Sequence, residues 1–386
     1  MTPSPAERYP AALPGAVVWE TWAARASEPH LACASAWSEA CRAWWHHPAD
    51  RRLRQRVVDT LFIDERDLGA WQAHGLDQPS LLQAHAHVTA VRTAFEAASR
   101  RRVLTTGALR TERVVAYQRS GVMTVFAEAA QLPRLVAQLA ETYAALPAHP
   151  FVRAAWLLQA IGAVHPFIDA NGGTMRFLAS LELARAHLPP FVLTELQRNS
   201  TYASAMVEAD EDLGSLQHLI YDVVHQELGA LLLADGAAPA EWTTQARARA
   251  AAMTAHADAS LRAAAALPLA REDASPSTLA RIVRRGYRVP HAPAPHLVRW
   301  GSDAPVPWQC ELVIAPVRAG DDTWMIASVA ASIGPDGGLG PLVPREPIAT
   351  VFVAAPTESD ALVGERFARW LEARVDHSLR GVAAWM

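Results

Sequence analysis

The sequence predicts a mainly α protein with a small β-hairpin in its helical part and an α+β domain at its C-terminal end. Three observations carry this. Across residues 15–235 apolar side chains recur at three- and four-residue spacing, with few internal glycines or prolines. One stretch, Arg113 to Phe126 (RVVAYQRSGVMTVF), breaks that texture with β-branched and polar residues around Ser120-Gly121, as a short hairpin does. From about residue 290 the pattern changes to strand-like runs followed by an amphipathic helix.

The chain has 386 residues, 51% hydrophobic and 19% charged, enough apolar material to bury a sizeable core in more than one domain. With 35 Lys and Arg against 39 Asp and Glu, the net charge of −4 gives no general attraction to nucleic acid or acidic lipid. Nucleic acid is therefore not expected as a partner. Three cysteines (Cys33, Cys41 and Cys310) form no disulfide framework, and a reducing cytoplasm is expected. The first fourteen residues, MTPSPAERYPAALP, lack the apolar run of a signal peptide, and the longest apolar stretches fall far short of the ~20 residues of a membrane span.

Taken in order, residues 1–54 read as an N-terminal helical region and 55–235 as one helical domain holding the hairpin. Residues 236–289 supply a long alanine-rich helix, opened by Pro239 and closed near Pro268, with a connector. In 290–386, Pro290, Pro293, Pro295, Pro305 and Pro307 mark an irregular linker. Strands are expected at Gln309 to Pro316, Thr323 to Ile333 and Ile348 to Ala354, then a helix at Ser359 to Val375. The glycine-rich GPDGGLGPLVP between the last two strands lacks the GK[ST] of a phosphate loop and reads as a connection.

Chemistry concentrates in 151–187. Phe151 to Val164 is almost continuously apolar, hence a buried helix, and His165-Pro166 ends it because the residue before proline leaves the helical region. A second apolar helix starts near Gly172, so a polar loop, His165 to Asn171, sits between two buried helices. A helix N-terminus offers unpaired N–H groups and a positive dipole end, and Gly172 and Gly173 let backbone approach an anion. Asp169 is one hard carboxylate, the usual protein share of a magnesium ion that phosphates and water otherwise hold. Arg176 is placed to reach a terminal phosphate, and His165 has the side chain suited to take a proton from a hydroxyl. These residue types together describe nucleotide transfer to a hydroxyl; a helix–turn–helix corner with a capping aspartate and a core histidine has the same residues.

The segment HPFIDANGGTMR resembles the signature of the Fic/Doc (Fido) family, HPFx(D/E)(G/A)N(G/K)RxxR. The likeness extends over about residues 55–230: Gly107-Ala108-Leu109-Arg110 before the hairpin resembles the family's GxxR and target-binding flap, and Asn199 to Met206 resembles its late helix. The resemblance implies a Fic-type helical core that moves AMP from ATP to a Ser, Thr or Tyr hydroxyl of a target protein, with Mg2+. It implies His165 as general base, Phe167 as a core anchor, Asp169 as metal ligand and Asn171, Gly172, Gly173 and Arg176 around the nucleotide. The hairpin would clamp the target by strand addition through Val114, Val115, Tyr117, Val122 and Thr124. A bacterial effector or toxin-like role follows by family analogy only.

One departure stands out: the family's first arginine is Gly173 here. Its loss is compatible with weak AMP transfer, with another group (UMP, phosphate, phosphocholine) or AMP removal, or with a Fic-derived protein that binds a nucleotide or partner without turnover. Base, metal ligand and second arginine remain, so a working site is the favoured reading. Many relatives carry an inhibitory [ST]xxxE[GN] helix; the best-placed counterpart is Thr60 to Glu65, with Asp64 where Glu stands and Glu65 one position late. Ser35 to Ala40 fits the spacing further upstream, and surface acids on ordinary helices explain both segments equally well.

Other clusters read as structure. Trp44-Trp45-His46-His47 is a buried aromatic edge with solvated histidines, His85 and His87 do not share a helix face, and His218 and His225 are too far apart for one metal. Arg51, Arg52 and Arg54, and Arg100, Arg101 and Arg102, read as helix-surface charge. The C-terminal α+β domain has no nameable motif; target recognition, homo-oligomer contact or regulation would each account for it.

Overall fold

The computed structural model describes residues 25, 28–73, 75–96, 106–117, 123–209, 212–234, 238–264, 270–273, 296–302, 308–333 and 351–383. The Ser120-Gly121 turn, Val122, Arg100, Arg101, Arg102 and the 334–344 connection lie outside them. The elements are α1 (Pro29–Trp45), α2 (Arg52–Leu61), α3 (Glu65–Ala73), α4 (Gln78–Glu96), β1 (Val115–Tyr117), β2 (Met123–Val125), α5 (Leu132–Ala145), α6 (Pro150–Val164), α7 (Asn171–Arg185), α8 (Glu195–Asn199), α9 (Thr201–Glu208) and α10 (Gly214–Leu232). They continue with β3 (Ala238–Pro239), α11 (Thr244–Ala264), β4 (Ala270–Asp273), β5 (His296–Ser302), β6 (Trp308–Ala319), β7 (Asp322–Ile333), β8 (Phe352–Ala354) and α12 (Asp360–Ala383). The protein is thus mainly helical, and among the described residues no helix is long and apolar enough to cross a membrane.

The chain forms two compact units, the first comprising 1–27, 54–193 and 198–221, the second 28–53, 194–197 and 222–386. In the first, α6 and α7 pack along each other as a buried pair. Phe151, Trp156, Leu158 and Ile161 of α6 and Ala179, Leu181 and Leu183 of α7 are at most 1% exposed. Glu182 keeps a carboxylate in this interior because Tyr143 and Arg185 donate to it, the latter at 2.6 Å. β1 and β2 pair antiparallel, with Val115 opposite Val125 and Tyr117 opposite Met123.

In the second unit, β4 to β8 form consecutive antiparallel neighbours, and β3 pairs with the far end of β6. Alternation places Cys310, Leu312 and Ile314 of β6 on one face with Val298 and Trp300 of β5. α11 lays Ala246, Ala250, Met253, Ala257 and Leu261 against that face, and α12 adds Val363, Phe367, Leu371 and Val375, each set at helical spacing. On the opposite face, Trp324 of β7 meets Trp44 of α1 edge-on at 6.1 Å between ring centroids.

Two expectations for this region need correction. His296–Ser302 is a strand rather than irregular linker, because Val298 and Trp300 alternate into the core; the surrounding prolines mask so short a pattern. The long helix begins at Thr244 rather than at Pro239, because Ala238 and Pro239 pair with Arg318 and Val317 of β6. The connector also contributes β4, paired with β5.

A buried ionic network ties α1, the turn before α12 and α12. Glu358 accepts from the Trp37 indole at 2.7 Å and the Ala355 amide at 2.8 Å, and its second oxygen takes the Arg366 guanidinium. The two charged side chains are 0% and 1% exposed. Removing one partner strands the other charge in the interior, whereas replacing both with apolar groups does not. Glu358→Gln is therefore expected to cost about 3–5 kcal/mol, read as a lower urea midpoint by tryptophan fluorescence. Glu358→Leu combined with Arg366→Met should cost clearly less.

Candidate active site

The loop between α6 and α7 is shaped by two left-handed residues. His165 closes α6 at φ 48°, ψ 59°, and Ala170 opens α7 at φ 60°, ψ 12°. Neither is glycine, so each costs about 1–2 kcal/mol that the surroundings offset. Asn171 offsets part of it. Buried at 3% exposure, it accepts from the Phe167 amide at 3.0 Å and donates to the Phe167 carbonyl at 2.8 Å. The side-chain amide assigned to the nucleotide by resemblance is thus engaged in holding the loop.

Residues distant in sequence bracket this loop. Arg110, only 4% exposed, donates its Nε to the His165 carbonyl at 2.8 Å and its amide to the Pro166 carbonyl at 2.9 Å. Its remaining nitrogens reach the Glu112 carbonyl at 2.9 Å and the Ala127 carbonyl. One guanidinium therefore ties the histidine to both ends of the hairpin. Just past β2, Phe126 stacks on the His165 ring at 3.9 Å between centroids. From α4, His85 stacks on Phe167 at 3.8 Å. The Gly107 amide donates to its Nδ1 at 3.0 Å, which leaves Nε2 to donate to the Asp169 carbonyl at 3.2 Å. The sequence offered no signal for His85 or Phe126 beyond their residue type, because both act through contacts made by other segments.

Burial, reinforced by the nearby Arg110 charge, lowers the His165 pKa to about 4. Its ring is neutral at physiological pH and has a lone pair to offer. Asp169 is half exposed, at 53%; its Oδ1 accepts from the Ala170 amide at 2.6 Å and its Oδ2 from Arg92 Nη1 at 3.0 Å. Among the described residues no group of three or more His, Cys, Asp or Glu side chains could hold a metal. A lone accessible carboxylate fits an ion shared with phosphates and water rather than one caged by protein.

Beside the first turn of α7 lies a cavity of about 390 Å3 lined by Gly173 and Arg176. Burial lowers the Arg176 pKa, and the Tyr202 hydroxyl of α9 accepts a hydrogen bond from it. Thr60, at the end of α2, lines the same cavity. Asp64 instead takes the Arg66 guanidinium at 2.8 Å and Glu65 takes Arg54 at 2.6 Å, so these acids are engaged away from Arg176. Val115 is 39% exposed on the hairpin; Val114 precedes β1, and the backbones of Tyr117 and Thr124 lie in β1 and β2.

Gly173 has a packing reason. A Cβ built there would sit 2.7 Å from Val88 Cγ1 of α4, so the missing side chain lets α4 approach α7. Gly173→Arg alone is expected to lose about 1–3 kcal/mol through overpacking, measured by thermal unfolding. Adding Val88→Ala should recover most of it; an undiminished loss in the double variant would place the clash elsewhere.

The Fic/DOC family model matches residues 75–183, which span α4, the hairpin, α5, α6 and nearly all of α7. Among curated proteins, a protein adenylyltransferase Fic of Drosophila yakuba is 33% identical over 91 residues, 24% of this chain and 18% of the relative. One from Drosophila persimilis is 32% identical over the same extent. The chain thus spans under a fifth of the length of these relatives. Among solved structures, Fic-1 of C. elegans aligns over 46% of this chain and 49% of its own at 20% identity, with a TM-score of 0.35. A Fic family protein of Desulfovibrio desulfuricans aligns over 71% and 83% at 17% identity, with a TM-score of 0.33. Residues 75–183 thus carry a region that matches the Fic/DOC family model.

Proposed function

We propose that this domain transfers AMP from ATP to a Ser, Thr or Tyr hydroxyl of a protein target. The observation that carries the reading is the half-buried, neutral His165 locked at the foot of the hairpin, on the same loop as Asp169 and ahead of Gly172 and Arg176. The target's hydroxyl oxygen attacks the α-phosphorus, the bond to the β-phosphate's bridging oxygen breaks, and pyrophosphate leaves. His165 takes the hydroxyl proton as the new bond forms. Asp169 would hold magnesium, which when bound neutralises phosphate charge. Arg176 and the first amides of α7 orient the leaving phosphates.

The hairpin supplies the target. Its two strands pair with each other, and an extended segment can add to an edge through main-chain hydrogen bonds. Because Phe126 and Arg110 join the hairpin's base to His165, a segment docked there has its register set relative to the base. One observation favours a second reading, transfer of another group: with glycine at 173, the first turn of α7 presents no arginine in the family's usual place.

Purified protein incubated with magnesium and, separately, ATP, UTP, GTP and CDP-choline distinguishes these readings by intact mass. AMP transfer predicts a self-modification mass of one adenylyl group from ATP that substitution of the base, His165→Ala, abolishes. Because the His165 pKa lies below the usual histidine value, the proton-accepting form persists as pH falls from 7. The acid limb of the rate profile should therefore fall near pH 4 rather than near the ordinary 6.5. A limb at the ordinary value would remove His165 from its buried role.

A further inference from the structure

We propose that Arg198, with Arg92, supplies the polyphosphate contacts that the first turn of α7 lacks at Gly173, making the cavity beside it a three-arginine polyphosphate site. This deepens the transfer reading and rests on it only for the identity of the donor. The cavity takes Gly173 and Arg176 from α7, Arg92 from α4 and Arg198 from α8. Among the described residues that line it, none is an aspartate or glutamate. Arg176 and Arg198 are close enough for the second charge to help lower the pKa of the first, and the described hydrogen-bonding partner of Arg176 is a neutral phenol. Two cations held together, one largely buried, leave positive charge that a multiply charged anion would neutralise.

Arg92 connects this cavity to the motif loop, since it lines the wall and donates to Asp169 at 3.0 Å. A guanidinium carries five N–H donors in a planar fork, a geometry suited to phosphate as well as carboxylate. The rest of the lining is largely apolar, including Val88, Val91 and Phe177, so the arginines act in a region where water screens them less. Gly173 keeps the space open: a side chain there would start 2.7 Å from Val88.

Isothermal titration of the full chain with ATP, AMP and inorganic tripolyphosphate tests the assignment. Each lost charge-assisted contact should weaken ATP and tripolyphosphate about 10-fold or more in Arg198→Gln and in Arg92→Gln. AMP should stay within about 2-fold, since its single phosphate does not require all three cations. Arg198 is exposed, so its replacement should leave the thermal midpoint unchanged, and Arg198→Lys should restore part of the affinity. Wild-type affinity for ATP and tripolyphosphate in both glutamine variants would overturn the site while leaving the transfer reading standing. Arginine-dependent tripolyphosphate binding with no ATP binding would support the site and overturn the nucleotide donor instead.

Discussion

The first unit depends on how one short loop is forced to turn. Between α6 and α7 the chain leaves one helix and enters the next through His165 and Ala170, both at positive φ without being glycine. Such a turn persists only when surrounding contacts over-determine it. They do: Asn171 closes the loop on Phe167, His85 stacks against Phe167 and holds the Asp169 carbonyl, and Arg110 grips the carbonyls of His165 and Pro166. The outcome is a histidine ring and a carboxylate presented from one rigid bend at the start of a helix. Freeing any one contact would let the loop relax toward commoner dihedrals, and the side chains would move with it.

The same contacts couple the bend to the hairpin. Arg110 spans from the loop carbonyl of His165 to the backbone at Glu112 and Ala127, on the two sides of β1 and β2. A two-stranded ribbon is marginal by itself in water, and here its base is fixed by a buried guanidinium and by Phe126 on His165. Phe126, which stacks on the His165 ring, and Arg110, whose charge helps lower the His165 pKa, are thus the same residues that fix the hairpin's base.

Much of this was legible because the signal is local. HPFIDANGG sets helix end, polar loop and helix start within nine residues, and the apolar runs on either side announce the buried pair. The hairpin was legible from its β-branched texture, and β6, β7 and the last helix from their periods. The strand at His296–Ser302 was not, because seven residues among prolines present only two inward side chains. His85 and Arg92 were not legible either. On α4 they read as ordinary helix positions, and their contacts are with a loop some eighty residues downstream. Arg110 was visible as part of a GxxR pattern, but nothing local says that it faces inward as a staple.

Gly173 joins the packing argument to the electrostatic one. Read from the motif alone, it is a missing arginine. In the fold a Cβ there would sit 2.7 Å from Val88 Cγ1, so α4 lies nearer the helix start than a side chain would allow. Arg92, one turn beyond Val88 on the same helix, reaches the carboxylate of Asp169 and lines the wall of the cavity. The glycine of α7 and the cation of α4 therefore meet at the same close approach. The packing that needs glycine at 173 thus also sets which cations stand around the helix start.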